Sequence, residues 1–377
     1  MLFTRHPVRL ARRAAAIACS ALALVSAAAD ASADPVTTPA PAATAAPTVG
    51  RLLPMTFACQ QVTCDGELWL PAARADGGLI TMYVPFPAGG TSDVFARALT
   101  PGLAAQLQRT VVVENLAGAS GSIAANKVLG RGAAGDALFL ASPTELILAP
   151  ATLKAVKYSP GDFRPVHLIS RPPLGVYVRA DLPANNIDEL VTLARSSKDK
   201  PLSYGSVGVG SVYHLAGDAF MQAAGLNLTH VPYRGGTPLL QDLMGGQLDM
   251  AFFPLDGHLV KMLSGGKMRV IGVASPGRSP LLPAVGTFAE SKSLPRFSTV
   301  DVWGGVFVPK ATPEATVQAL HRAAQEAVNR PEVRKSLEAA VGSSLLPPMS
   351  LEQLNSFYSQ EIDHFQEATR RARLEAN

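Results

Sequence analysis

Two stretches of the chain combine glycines, hydroxyl side chains and the start of a helical pattern, a combination that could hold an anion. In "VPFPAGGTSDVFAR", Val84–Arg97, an apolar run ends in a Pro/Gly turn and a helix begins near Ser92-Asp93. Glycine lets a ligand approach the backbone closely, and a helix start presents unpaired N–H groups with partial positive charge. A small carboxylate or phosphate suits such a place. An ordinary βα turn capped by Thr91 or Ser92 has the same appearance. The second stretch, "YGSVGVGSVYHLAG" (Tyr204–Gly217), repeats the arrangement with a helix start near Ser211. Its glycines fall as G-x-x-G-x-G, which is not the dinucleotide fingerprint, and no P-loop lysine follows; no nucleotide cofactor is expected. Ser211 and His214, three residues apart, share a helical face. A nucleophile–base pair is conceivable there, but the chain has no G-x-S-x-G elbow and no evident acidic orienter. Hydroxyl and imidazole contacts to a ligand are the better reading.

A third loop, "LASPTELIL" (Leu140–Leu148), ends a strand on Ser142 and Thr144, which could donate to an oxygen-rich ligand or simply make a turn. Elsewhere the chain offers little chemistry. Its seven histidines lack metal-ligand spacing, so no metal is expected. Glu114 and Asp249 read as strand-end residues, and Trp303 could line a cleft or pack half-buried.

These loops need a frame. The runs "LITMYV", "TVVVEN", "ALFLAS", "LSYGSV", "LTHVPY", "LDMAFF" and "MRVIGVAS" read as strands, and amphipathic stretches lie between them. That alternation predicts βαβ units on mostly parallel sheet. In Asp93–Leu107, Phe95, Leu99 and Leu103 share a face, and Pro101 is expected to kink or shorten the helix. Two C-terminal helices are expected, one with Thr312 as cap and Pro313 in its first turn. The other has Ser350 and Gln353 placed as a capping box. About 300 residues follow Leu79, which favours two domains over one.

The start of the chain reads differently. "MLFTRHPVRLARR", an apolar Ala-rich stretch and "ASA" before Asp34 have the layout of an export signal over residues 1–33. The apolar part is shorter than a membrane-spanning helix needs. Arg12-Arg13 and Cys19 are weak matches to twin-arginine export and lipoprotein signals. Without residues 1–33 the chain loses four arginines and one aspartate, and the net charge of +4 falls to +1. The basic character therefore implies no nucleic-acid partner. Residues 34–50 form a Pro/Ala/Thr linker. Cys59 and Cys64 remain after export, and an oxidising compartment favours a disulfide between them. Free thiols in an N-terminal arm are the alternative.

Five stretches occurring in order carry a resemblance: "ITMYVPFPAGGTSDVFAR", "VVVENLAGASGSIAANKV", "YGSVGVGSVYHLAGDAFMQAAG", "HVPYRGGTPLLQDLMGGQLDMAF" and "GKMRVIGVASPGRSPLLPAVGTFAE". From about Leu79 to Phe365 the chain resembles the Bug receptors, extracytoplasmic substrate-binding proteins of tripartite tricarboxylate transporters. The resemblance implies a type II periplasmic-binding-protein fold, two α/β domains joined by two crossovers that close on a ligand. It implies a linker and Cys-containing arm over 34–78, a discontinuous first domain over 79–177 plus 303–377, and a second over 178–302. The crossings should fall near Val176–Arg179 and Val300–Gly304. It places Phe86, Pro87, Ala88, Gly89, Gly90, Thr91, Ser92, Asp93, Ser142 and Thr144 on one wall of the cleft. Gly208, Gly210, Ser211, Tyr213 and His214 would form the other. The implied protein is a periplasmic monomer without cofactor that passes a small carboxylate to membrane permease subunits. A sensor for a membrane kinase, or a hydrolase using Ser211 and His214, are the other readings. Many relatives carry an acidic or amide residue where this chain has Phe253-Pro254, which suggests a preference for an apolar or aromatic acid.

Overall fold

The computed structural model describes residues 51–59, 62–70, 78–297, 301–342, 345–372 and 374, the first two stretches as backbone alone. The expected export signal, the linker and the side chains of Cys59 and Cys64 lie outside the described residues. Strands β1 (Arg51–Cys59) and β2 (Val62–Leu70) form an antiparallel hairpin that the sequence pattern does not predict. In its register Cys59 stands opposite Val62, and Cys64 opposite Phe57.

From Ile80 onward the chain builds two five-stranded sheets. The first contains β3 (Ile80–Val84), β4 (Val111–Asn115), β5 (Ala137–Ala141), β6 (Phe163–Ser170) and β12 (Gly304–Pro309), in the order β4-β3-β5-β12-β6. The second contains β7 (Leu174–Arg179), β8 (Ser203–Ser206), β9 (Thr229–Pro232), β10 (Met250–Pro254) and β11 (Met268–Ala274), in the order β11-β7-β10-β8-β9. Interior strands β3, β5 and β10 are buried along their whole length, as continuous apolar runs covered on both faces should be. Edge strand β4 alternates buried and open positions instead.

Each sheet is mixed. β3 runs parallel to β4 and β5, whereas β12 is antiparallel to β5 and β6. In the second sheet β8 is parallel to β9 and β10, whereas β7 is antiparallel to β10 and β11. β7 is thus already a strand of the second sheet. The chain crosses at Arg171–Pro173, ahead of the expected Val176–Arg179, because two prolines follow Arg171 and end the pairing of β6. On the return, Phe297 still packs on Phe252 of the second sheet, and Trp303 already packs on Phe307 of the first.

Helices cover both faces: α1 (Thr91–Leu107), α2 (Ser122–Gly130), α3 (Ala149–Thr152), α4 (Ile187–Ser196), α5 (Val212–Ala224), α6 (Gly236–Met244), α7 (Gly257–Leu263), α8 (Glu314–Asn329), α9 (Pro331–Val341) and α10 (Leu351–Ala372). α1 runs through Pro101 without ending. The capping box at α10 forms, with Ser350 N donating to Gln353 Oε1 and Gln353 N to Ser350 Oγ. Thr312 does not cap α8; Pro313 holds that position, and the Thr312 hydroxyl is buried without a partner among the described residues.

Leu99 and Leu103 of α1, Leu320 of α8 and Leu337 of α9 cover one face of the first sheet. Leu239 of α6 and Leu259 of α7 cover one face of the second. The remaining faces share one apolar cluster, from Phe139 and Tyr358 to Leu190, Phe220 and Phe252. The two lobes therefore meet through packed side chains.

Candidate functional site

The turn after β3 is tied down from several sides. Gly89 N donates to Asp93 Oδ2 (2.9 Å), Arg97 Nε donates to the same carboxylate (3.0 Å), and Asn115 Nδ2 donates to Phe86 O (3.0 Å). Burial alone would raise the Asp93 pKa, but these hydrogen bonds outweigh it and hold the group below its usual value. Gly90 is the residue before the first turn, and no side chain caps it. The amides of Thr91, Ser92 and Asp93 accordingly have no acceptor within the helix.

The facing loop, Ser206–His214, is equally constrained. Ser211 caps α5, its Oγ accepting from His214 N at 3.3 Å. His214 Nδ1 accepts from Gly210 N at 3.0 Å, and the His214 ring stacks on His230 at 4.0 Å. His230 Nε2 shares a 2.7 Å hydrogen bond with Ser206 Oγ. Burial pushes both imidazoles down to about 4, with the mutual repulsion of the pair adding to the fall at His230. A neutral His214 whose Nδ1 accepts an amide proton cannot act as base toward Ser211. Among the described hydrogen bonds none joins the His214 ring to the Ser211 hydroxyl, and Asp218 Oδ2 lies 3.6 Å from His214 Nε2.

Among the described residues, hydrogen bonds cross from lobe to lobe at several places. Thr91 Oγ1 donates to Asp256 Oδ2 (3.1 Å) and Thr237 Oγ1 to Ala88 O (3.2 Å). Ser120 Oγ donates to Val209 O (2.7 Å), and Val212 N to Thr144 Oγ1 (3.3 Å). Among them lies a cavity of about 50 Å³, lined by Phe86, Thr91, Ser92, Ser142, Tyr213 and, from the crossover segments, Ser170 and Trp303. Of the expected site residues, Phe86, Thr91, Ser92, Ser142 and Tyr213 meet at this cavity. Thr144 and Ala88 bond across the cleft beside it. Gly89 and Asp93 brace the α1 turn, and Gly210, Ser211 and His214 brace the α5 turn. Pro87 packs toward Gly235, and Gly208 toward Ser120. Gly90 sits against Pro87 O and the Thr237 hydroxyl.

Several residues at the site escape a reading of the loops. Asp256, the N-cap of α7, accepts from Leu259 N and Thr91 Oγ1 and is fully buried; burial pushes it up to about 7. Glu145, in the π-helical turn Thr144–Leu148, accepts from Ser142 N and from Ser142 Oγ (2.9 Å). Burial pushes it up to about 8. Tyr213 stacks on Phe253 at 4.7 Å, and its phenol is raised by burial and then by the nearby Asp256 and Glu145 carboxyls. Trp303 both packs and lines the cavity, its indole N–H turned to Glu361 Oε2 at 2.8 Å. "FFPLDG" did hold a signal, since an acid followed by glycine after a strand is a helix-cap pattern.

Two mixed α/β lobes, joined by two crossings and closed on a small, mainly apolar cavity that carries a few hydroxyls, define a two-domain solute receptor. Residues 95–368 match the tripartite tricarboxylate transporter family receptor, and the chain belongs to that family. A UPF0065 protein from the tcbD–tcbE intergenic region of Pseudomonas sp. (strain P51) is 34% identical over 79% of this chain and 87% of its own length. The periplasmic binding protein BugD is similar in structure, with a TM-score of 0.72 and 31% identity, over 79% of this chain and 98% of BugD. MatC from Rhodopseudomonas palustris, solved with bound malate, superposes with a TM-score of 0.70 at 29% identity, over 77% of this chain and 98% of MatC.

Proposed function

We propose that this protein is an extracytoplasmic receptor that shuts on a small carboxylate and delivers it to the permease subunits of a tripartite transporter. The observation that carries the reading is the open first turn of α1, facing a cavity beside which hydrogen bonds join the two lobes. A carboxylate there takes charge-assisted hydrogen bonds from amides and hydroxyls, each contributing roughly 1.5–3 kcal/mol. The malate bound to MatC supports the ligand class. Because both lobes contribute to the enclosure, ligand binding favours the shut form. Location in the periplasm, a monomeric state and the Cys59–Cys64 bridge belong to the same reading.

Mass spectrometry of small molecules released from the purified protein by mild denaturation, followed by calorimetry with the acids found, tests it. A stoichiometric organic acid that rebinds supports the reading. Release of no acid, together with no heat from a broad acid library, overturns it.

A further inference from the structure

The cavity has a second polar pole on the side of the crossings. Ser170 is the last residue of β6, next to the first crossing, and it pairs with Gly304 beside the second. Ser170 is among the residues around the cavity, it is 1% exposed, and its hydroxyl is buried with no hydrogen-bond partner among the described residues. A buried hydroxyl left in this condition is costly, and each one calls for an explanation. Of the other hydroxyl residues around the cavity, Ser142 Oγ is held by Glu145 and Thr91 Oγ1 by Asp256, while Ser92 and Tyr213 line it as well.

We propose that Ser170 is a ligand-contacting residue that selects a compact acid with one carboxylate and a neutral oxygen substituent, such as a hydroxyl or keto group. The proposal rests on the carboxylate reading above, which seats the carboxylate at the α1 turn. The substituent then meets Ser170 from the opposite end. Among the described residues no lysine, arginine or histidine lines the cavity, and the buried carboxyls of Asp256 and Glu145 adjoin it through Thr91 and Ser142. A second carboxylate would be desolvated beside these acids without a cation, whereas a hydroxyl or carbonyl oxygen carries no such cost. A site built to hydrogen-bond an oxygen substituent also rejects the analogue that lacks it, because its own polar group is then stranded. The small size of the cavity in the shut form favours a compact acid.

Calorimetry on the purified protein with propionate, lactate, pyruvate, succinate, malate and adipate tests this. Lactate or pyruvate is expected to bind at least tenfold more tightly than propionate, and more tightly than any of the three diacids. In Ser170→Ala the preference over propionate should shrink to within threefold while the propionate affinity stays unchanged. Ser170→Thr, which keeps a hydroxyl, should retain part of the preference. Equal binding of lactate, pyruvate and propionate, a diacid bound best, or a preference that survives Ser170→Ala overturns the proposal. An equal loss for all acids in Ser170→Ala assigns the residue a structural role and also overturns it. Absence of binding by every acid sinks the carboxylate reading itself, which separates the two failures.

Discussion

Asp256 and Glu145 are shut away from solvent, and the hydrogen bonds they accept come from hydroxyls and amides. In an unfolded chain both would titrate near 4. Folded, burial raises them to about 7 and about 8. The folded protein therefore keeps protons that the unfolded chain has already lost. The stability tied to these protons is complete below about pH 4 and drains away as pH climbs through 7 and 8. Asp256→Asn keeps an acceptor for Thr91 and Leu259 but cannot titrate. The unfolding free energy of the wild type minus that of Asp256→Asn should fall by on the order of 2–4 kcal/mol between pH 4 and pH 8. Urea titrations at fixed pH measure it, and a pH-independent difference would contradict the assignment. The comparison with a variant matters because His167, His214 and His230, all pushed down to about 4 by burial, act in the opposite sense. Their contribution is present above 6.5 and lost as pH falls through 4. At this scale the sequence shows the hydroxyl and glycine residues of the loops, because their types announce turns and helix starts. It hides Glu145 inside an apolar run and Asp256 behind a turn, because what makes each notable is burial, which only tertiary packing creates.

The seven apolar runs read as strands correspond to β3, β4, β5, β8, β9, β10 and β11, since each is a short run bounded by turn residues. The strands that make the sheets mixed, β6, β7 and β12, are not visible in that way. β6 carries Arg164, Pro165 and His167 among its apolar residues, and β12 inserts between β5 and β6 from more than a hundred residues away. No local pattern encodes that insertion. The helix starts are better marked, and the α5 turn shows what they demand. Gly210 has φ +75°, and a Cβ there would run into the Thr152 hydroxyl of the other lobe. Gly225, which ends α5, has φ +61° with open space around its Cβ position. Gly225→Ala should cost about 1 kcal/mol of stability through backbone strain and leave ligand affinity intact. Gly210→Ala carries the same strain plus a wedge between the lobes, so affinity should drop more than tenfold. Thermal melts and calorimetry on the two variants separate strain from obstruction. Equal affinities in both would remove Gly210 from the closing surface.

Closure as a property of the whole molecule comes down to the balance between a few cross-lobe contacts and the freedom of two lobes joined at Arg171–Pro173 and near Trp303. The loop Gly118–Gly121 bears on that balance in an unusual way. All four of its residues have positive φ, and two of them, Ala119 at +46° and Ser120 at +50°, are not glycine. Left-handed backbone at non-glycine residues persists when its surroundings over-determine it. Part of that determination comes from the other lobe, since Ser120 Oγ donates to Val209 O and a Cβ on Gly208 would lie 2.6 Å from the same oxygen. Ser120→Ala removes this hydrogen bond and keeps the strained backbone. A net loss of about 1 kcal/mol from the shut form lowers its equilibrium constant roughly fivefold. If the empty protein is mostly open, the whole of that loss enters the ligand dissociation constant, because binding must draw on a rarer shut form. If it is mostly shut, affinity barely moves and the empty protein expands instead. Small-angle scattering with and without ligand distinguishes the cases: the variant should show either a weaker dissociation constant by a factor of about 3–5 or a larger radius when empty. A variant with wild-type affinity and wild-type radius would mean that Ser120 holds its own loop in shape and contributes nothing to the meeting of the lobes.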